Sequence, residues 1–171
     1  MDPESIDFSE MSQDELKEMA ALALKHIENP EKGIGKATFD AIMKVSPQVA
    51  IETIIVDDVD NPTQIFLTWR EDEHYKGWHC AGSFMRFGKS FEQTVVDILR
   101  REHEAEVEDV KETGVTYNRV DSRGQTIGIV FLVKSNIPMD QNTSTKKWFS
   151  SIPSNTLPHH VDFLKRALGW E

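Results

Sequence analysis

The sequence predicts one α+β domain, because segments with helical periodicity and segments with strand character alternate along a chain of 171 residues. Residues 50–56 are rich in β-branched side chains, and residues 126–133 are almost continuously apolar, as in buried strands. Between them, a loop that contains two glycines leads into a charged helix that begins at Ser90. A hydrophobic fraction of 39% is enough for one core.

Two helices are predicted before the first strand. Ser12 and Glu15 have the spacing of a capping box, and apolar residues follow at helical spacing. A shorter helix over residues 36–44 stops before Pro47, because the residue before a proline avoids the helical conformation. We therefore divide the chain into a two-helix extension, residues 1–47, and a main domain, residues 48–171. The extension is expected to form a lid or the surface of a homodimer.

Two hairpins and a closing helix complete the predicted domain. The first hairpin joins residues 50–56 and 64–69, and the second joins residues 110–120 and 126–133. A polar loop without periodicity follows, and loops of this length are often functional. The last helix is predicted to end at Gly169. The pair His159–His160 follows a proline and opens that helix, and it is expected to cap the helix or to be exposed.

Composition excludes several classes of protein. A formal net charge of −10 argues against nucleic-acid binding, because phosphate backbones attract clustered Lys and Arg side chains. The single cysteine, Cys80, excludes an internal disulfide and a Cys-rich zinc site. No run of about 18 apolar residues predicts a membrane span, and the acidic N-terminus has no signal-peptide character. We expect a cytoplasmic protein that does not bind membranes.

The most informative segment is residues 77–106, GWHCAGSFMRFGKSFEQTVVDILRREHEAE. It combines a short strand, a loop between Gly82 and Gly88, and a helix, and with the order of the other elements it resembles the Nudix family over about residues 49–168. The resemblance implies an α/β/α sandwich with a mixed sheet. It also implies a site in which motif glutamates hold Mg²⁺ or Mn²⁺ against a pyrophosphate. Carboxylates suit hard divalent cations, and a glycine loop before a helix suits an anion.

One alignment to the family motif leaves a single motif glutamate. In it Ser83 stands at the first motif glycine, Lys89 at the first glutamate and Glu104 at the terminal glycine. Residues 97–98 replace the motif's Arg-Glu pair, and Arg101 and Glu102 replace its Glu-Glu pair. Glu102 alone remains of the four glutamates, whereas magnesium normally needs two or more acids.

A second alignment shifts the motif by about one helical turn. Glu102 and Glu106 then lie on the same face of the helix and could bind one metal ion together. This alignment gives up the fit of the apolar residues Phe91, Val95 and Leu99 against a core. We prefer the first alignment for that reason.

These matches predict a Nudix-fold protein related to hydrolases of nucleoside diphosphates linked to another moiety, with impaired or lost pyrophosphohydrolase activity. Cations at positions where acids are expected would bind a phosphate directly, without a metal. The expected partner is a phosphorylated small molecule or a nucleotide. Glu102 is the candidate catalytic residue, and the substrate-binding candidates are Trp78, Gly82, Arg86, Lys89 and Arg101.

The alternative prediction is an active, metal-dependent Nudix hydrolase with a nucleotide-sugar-like substrate. In this alternative Glu102 and Glu106 are the metal ligands, and the cofactor is Mg²⁺ or Mn²⁺. An acid outside the motif, Glu112 or Asp140, could take part instead of Glu106. A third prediction, of another class, is a structural subunit whose N-terminal helices bind a partner.

Overall fold

The computed structural model describes residues 7–73 and 75–170. Residues 1–6 of the predicted extension and residues 74 and 171 of the predicted domain lie outside these ranges. The elements in chain order are α1 (Gln13–Lys25), a 3₁₀ turn (Pro30–Lys32), α2 (Lys36–Met43), β1 (Gln48–Val56), β2 (Ile65–Glu71), β3 (Lys76–His79), β4 (Ala81–Phe84), α3 (Phe91–His103), β5 (Val107–Asp121), β6 (Gly124–Ser135), β7 (Lys146–Phe149) and α4 (Pro158–Leu168).

The described strands form one mixed sheet in the order β3-β2-β1-β6-β5, with β4 also paired to β1 and β7 to β2. β1 and β6 are parallel, with Ile51 opposite Ile129, and the other pairs are antiparallel. Both predicted hairpins are confirmed, since β1 pairs with β2 and β5 pairs with β6. The mixed sheet implied by the family resemblance is confirmed as well.

The sheet carries a hydrophobic core on each face. Successive side chains of a strand point to opposite faces, so Ile51 joins one core cluster while Ile54 joins the other. α3 packs on the first face with Val95 and Leu99, which are fully buried. α4 covers the second face with Phe163. The predicted helix–sheet–helix sandwich is therefore confirmed, and β1 is buried from both sides.

The two N-terminal helices contact the domain very differently. In α1 the capping box of Ser12 and Glu15 is present as predicted, yet no residue of this fully described helix is buried. α2 packs through Met43, which is buried, and through the ring of Phe39, which lies 5.0 Å from that of Phe84. The roles of lid and dimer surface stay predictions. No helix in the described parts of the chain is long and apolar enough to cross a bilayer.

The C-terminal end of α3 has a left-handed residue where glycine would fit best. Ser90 caps the start of the helix with its side chain, and Glu104 ends it with φ 55° and ψ 32°. Only glycine adopts this conformation without a steric cost from Cβ. Glu104 is the position at which the first alignment expects the terminal motif glycine. The backbone geometry therefore favours the first alignment over the shifted one.

Replacing Glu104 with glycine should stabilise the protein. Glycine removes the Cβ strain of the left-handed conformation, so we expect the free energy of unfolding to rise by about 1 kcal/mol. Urea unfolding monitored by circular dichroism measures the change. The matched control is Glu108→Gly on exposed β5, where glycine should lower stability by about 0.5–1 kcal/mol. A loss of stability in Glu104→Gly would contradict the argument.

Candidate functional site

A cavity of about 500 Å³ opens where six strands and two helices meet. β1, β4 and β6 contribute small residues, Phe84 and one acid, Glu52, to its lining. β2 and β5 supply basic side chains, α4 supplies histidines, and α3 supplies Glu102 at its C-terminal end. We call this the arginine cavity, after Arg70, Arg119 and Arg123, which line it.

Glu52 is a buried acid in the floor of the arginine cavity. Its side chain is only 8% exposed, and the Tyr117 hydroxyl donates a hydrogen bond of 2.5 Å to its Oε1. Its Oε2 lies against Gly82, where any side chain would collide with the carboxyl group. Burial raises the pKa of Glu52 to about 7, although the Tyr117 hydrogen bond and the Arg119 charge act to lower it. Glu52 therefore exchanges its proton near neutral pH.

Three arginines line the cavity together with three acids, Glu52, Glu71 and Glu102. Arg119 and Arg123 share one carboxylate, Asp121, at 3.2 and 3.5 Å. Arg123 also donates to the Tyr75 hydroxyl at 2.9 Å, and Arg70 pairs with Asp72 at 2.5 Å. The Nε of Arg119 is buried and has no hydrogen-bond partner among the described residues. Two guanidinium groups on one carboxylate leave N–H donors that an anionic ligand can fill.

The histidines of the cavity are neutral donors and acceptors. Burial lowers the pKa of His79 and of His160, and it lowers that of His159 to about 4. His160 Nδ1 accepts from the Cys80 backbone N–H at 3.2 Å, so its proton resides on Nε2. His79 Nδ1 lies 2.8 Å from the Thr68 carbonyl, which can only accept, so its Nε2 is left as an acceptor.

The expectation that His159 and His160 cap α4 or lie exposed is wrong for His160. That residue is 5% exposed and packs between His79 and Phe163. The reason is that β3 runs past the start of α4, with the Leu157 N–H bonded to the Trp78 carbonyl at 2.9 Å. Sequence alone does not place these two segments side by side.

A second cavity of about 500 Å³ holds the basic residues that the sequence singled out. Arg86, Lys89 and Arg101 line this basic groove, which shares Ser83 and Phe84 with the arginine cavity. Lys89 pairs with Asp97 at 3.1 Å, and Arg101 pairs with Glu102 at 2.8 Å. The structure thus brings these predicted side chains together but gives two of them acidic partners.

The predicted acids are spread over different parts of the molecule. Glu102 lines the arginine cavity, but Glu106 forms an ion pair of 3.0 Å with Arg100 and lines neither cavity. Glu112 lies beside a separate cavity near the end of α4. Asp140 is exposed in the loop before β7. Of these four acids, only Glu102 lies at the arginine cavity.

The remaining two predicted ligand-binding residues differ in position. Gly82 lines the arginine cavity. Trp78 packs between Trp69 and Phe149, at ring distances of 5.5 and 4.9 Å, and does not line the cavity. Trp69 on β2, which pairs with Trp78, is the tryptophan that lines the arginine cavity.

Sequence reasoning missed Glu52 and the three arginines. The signal for Glu52 was available, because an acid within the apolar run AIETIIV is expensive to bury and is often functional. Arg119 and Arg123 flank the turn between β5 and β6, whereas Arg70 lies near the end of β2. Nothing local in the sequence shows that these positions meet.

Comparison with solved structures identifies the fold. A MutT Nudix hydrolase from Burkholderia pseudomallei has a TM-score of 0.57 and 17% identity, covering 71% of this chain and 98% of its own. A protein from Jonesia denitrificans described as a possible asymmetric diadenosine tetraphosphate hydrolase has a TM-score of 0.61, with 12% identity and coverages of 74% and 96%. A Nudix-family hydrolase from Clostridium perfringens has a TM-score of 0.54, with 12% identity and coverages of 73% and 98%.

The chain therefore has the Nudix fold, as the resemblance of its sequence implied. No protein-family model and no curated protein matches the sequence. At 12–17% identity the similarity establishes the architecture, and the chemistry must be argued from the residues of this chain.

The side chains at the site do not fit the divalent metal that Nudix hydrolases use. Among the described residues, no three His, Cys, Asp or Glu side chains are arranged to hold a metal ion. Glu102 has Arg101 as its partner, and Glu52 shares its carboxyl group with Tyr117. Mg²⁺ and Mn²⁺ prefer several ionised oxygen ligands. The alternative ligand pair of Glu102 and Glu106 does not converge on one point of either cavity.

The raised pKa of Glu52 predicts a pH-dependent stability. An acid whose pKa is higher in the folded state destabilises the fold as pH rises from the unfolded value of 4.5 towards 7. Relative to Glu52→Gln, we expect wild type to lose roughly 3 kcal/mol of unfolding free energy across that interval and little more above it. Urea unfolding at pH 4.5, 6, 7 and 8 measures this. Glu112→Gln, at an exposed position, is the control. Parallel plots of unfolding free energy against pH for wild type and Glu52→Gln would refute the raised pKa of Glu52.

Proposed function

We propose that this Nudix-fold protein binds a phosphorylated small molecule, of the nucleoside diphosphate type, without a divalent metal, and that its pyrophosphohydrolase activity is impaired or lost. The observation that carries the proposal is the environment of Arg119. Its Nε is buried without a partner among the described residues, and its guanidinium group shares Asp121 with Arg123. A phosphate can accept from both guanidinium groups at once.

Two further features support a phosphate in the arginine cavity. The neutral His160 presents an Nε2–H, which donates to phosphate oxygens without adding charge. The cavity volume of about 500 Å³ is within the range of small-molecule sites. The basic groove adjoins this cavity at Ser83 and Phe84, so Arg86, with no acidic partner among the described residues, could contact a longer ligand.

Impaired hydrolysis is supported by what replaces the motif acids. Ile98, at a glutamate position in the first alignment, is fully buried in the core and cannot act on a ligand. Lys89 occupies another glutamate position and pairs with Asp97. The cationic side chains at the two cavities favour binding of phosphate in the ground state. Binding the substrate tightly does not by itself lower the barrier to reaction.

Binding should depend on Arg119 more than on Arg101. We expect isothermal titration in EDTA to show binding of at least one nucleoside diphosphate. Arg119→Met keeps an apolar stem but removes the donors, so the affinity should fall roughly 10- to 100-fold. Arg101→Met, in the basic groove, should change it much less. The reverse order would place the phosphate in the basic groove, and no binding of any nucleoside diphosphate to wild type would refute the proposed function.

Hydrolysis should be absent or very slow. With Mn²⁺ or Mg²⁺ and a panel of nucleoside diphosphate sugars and dinucleotides, we expect wild type to release product no faster than Glu102→Gln. An active Nudix hydrolase in the same assay is the positive control. The second candidate function, a metal-dependent hydrolase, is favoured by one observation, since Glu52 and Glu102 line the same cavity. Metal-dependent turnover that Glu102→Gln reduces 100-fold or more would establish the hydrolase function. One general acid or base typically contributes at least about that factor to the rate.

The N-terminal helices support a separate proposal about assembly. Leu22 and Leu24 of α1 are 59% and 44% exposed, and this helix would be the surface of a homodimer. Single exposed leucines are common on monomers, so this proposal carries less structural support than the ligand site.

A further inference from the structure

We propose that Glu52 selects the ligand, by accepting hydrogen bonds from a neutral pair of N–H or O–H donors on the part of the ligand beyond its phosphates. The inference rests on the proposed function, because the arginines are taken to hold the phosphates. It adds a specificity-determining residue that lies outside the family motif, on β1 instead of α3.

The geometry shows that Glu52 has acceptor capacity to spare. A carboxylate has about four acceptor positions, and the only hydrogen bond to the Glu52 carboxyl group from the described residues comes from the Tyr117 hydroxyl. Oε2 lies beside Gly82, which has no side chain to cover it. Burying an acid with unfilled acceptors is costly, and a bound donor would remove much of that cost.

The position of Glu52 is held by its neighbours. Tyr117 itself is fixed, since its ring lies over Gly128 and stacks on Phe163 at 5.7 Å. Any side chain at position 128 would overlap the tyrosine ring. Glu52 sits on the central strand, with β4 paired on one side and β6 on the other. The strand pairing and the Tyr117 hydroxyl therefore hold the carboxyl group at the cavity.

The surrounding charges decide which donors are suitable. Glu52 is faced by Arg119 from β5, Arg70 from β2 and Glu102 from α3, and by the neutral Cys80. Arginines repel a cationic ligand group, and the carboxylate of Glu52 repels an anionic one. A neutral group with two adjacent donors is repelled neither by the arginines nor by Glu52. Such a group occurs in the N1–H and 2-amino group of guanine and in the hydroxyl pairs of a sugar.

Matched ligands distinguish these two sources. GDP differs from IDP by the 2-amino group, and UDP-glucose differs from UDP by the sugar with its hydroxyl groups. ADP and CDP complete a titration panel for wild type and Glu52→Gln. If Glu52 accepts hydrogen bonds from the base, GDP binds tighter than IDP. If Glu52 accepts hydrogen bonds from the sugar, UDP-glucose binds tighter than UDP.

We expect one of the two pairs to show a preference of roughly 10-fold or more in wild type, as for a hydrogen bond to a charged group. Glu52→Gln should remove that preference while the weaker member of the pair binds as before. Since the substitution keeps the size of the side chain, a near-UV circular dichroism spectrum and a melting curve like those of wild type will show that it folds.

The preference should also depend on pH. Donors are accepted better by the ionised carboxylate, whose population rises between pH 6 and 8 around a pKa of about 7. We expect the ratio of the two affinities to rise by up to about 10-fold more over this interval in wild type than in Glu52→Gln. Comparing the two proteins with the same pair of ligands cancels protonation of the phosphates, which differs between UDP and UDP-glucose. His159, with a pKa near 4, does not titrate in this range.

The Tyr117→Phe variant tests whether Glu52 contacts the ligand or only supports the structure of the cavity. The Tyr117 hydrogen bond lowers the pKa of Glu52, so its loss should shift the pH midpoint of the preference upward while the preference at high pH persists. If nucleotides bind wild type but neither pair shows a preference, or if Glu52→Gln keeps the preference or its pH dependence, the inference is overturned. If no nucleotide binds wild type, the proposed function itself fails, and the inference fails with it.

Discussion

The parallel pairing of β1 with β6 is the interaction on which the rest of the molecule depends. It makes β1 the centre of the described sheet, with β2 and β4 on its other edge and a helix packed over each face. Parallel strands need a long crossover, so this one pairing fixes where α3 and β5 must lie. Because this strand is covered on both faces, residues 50–56 of β1 are all buried, either as core or, like Glu52, as polar groups with a specific neighbour.

The burial of β1 between two helices explains how the chain keeps the Nudix fold although its site residues differ from the family motif. The apolar residues of α3 face the core and keep the helix where a Nudix helix lies. The charged positions of the same helix are not needed for packing, and here they include Arg100, Arg101 and only one motif glutamate at the cavity, Glu102. The strands opposite contribute arginines around the same space. In this chain the Nudix fold thus presents guanidinium groups in its cavity.

Glu52 links the stability of the fold to its proposed function. An acid held at a pKa of about 7 destabilises the folded state at neutral pH, and a well-packed apolar residue would be more stable there. Strained or unfavourable groups of this kind concentrate at functional sites. The glycines at positions 82 and 128 serve the same arrangement, since side chains there would displace Glu52 or Tyr117.

The sequence by itself determined the local features, namely the capping box of Ser12, the start of α3 after Ser90, the hairpins and the α+β class, because these depend on residues close together in the chain. It also indicated the Nudix fold through the scaffold residues of α3. Only the tertiary structure decided which charges meet. Arg70, Arg119 and His160 are far apart in sequence, and strand register together with the docking of α4 brings them to Glu52. Local patterns cannot encode that convergence, because it depends on pairings between distant segments.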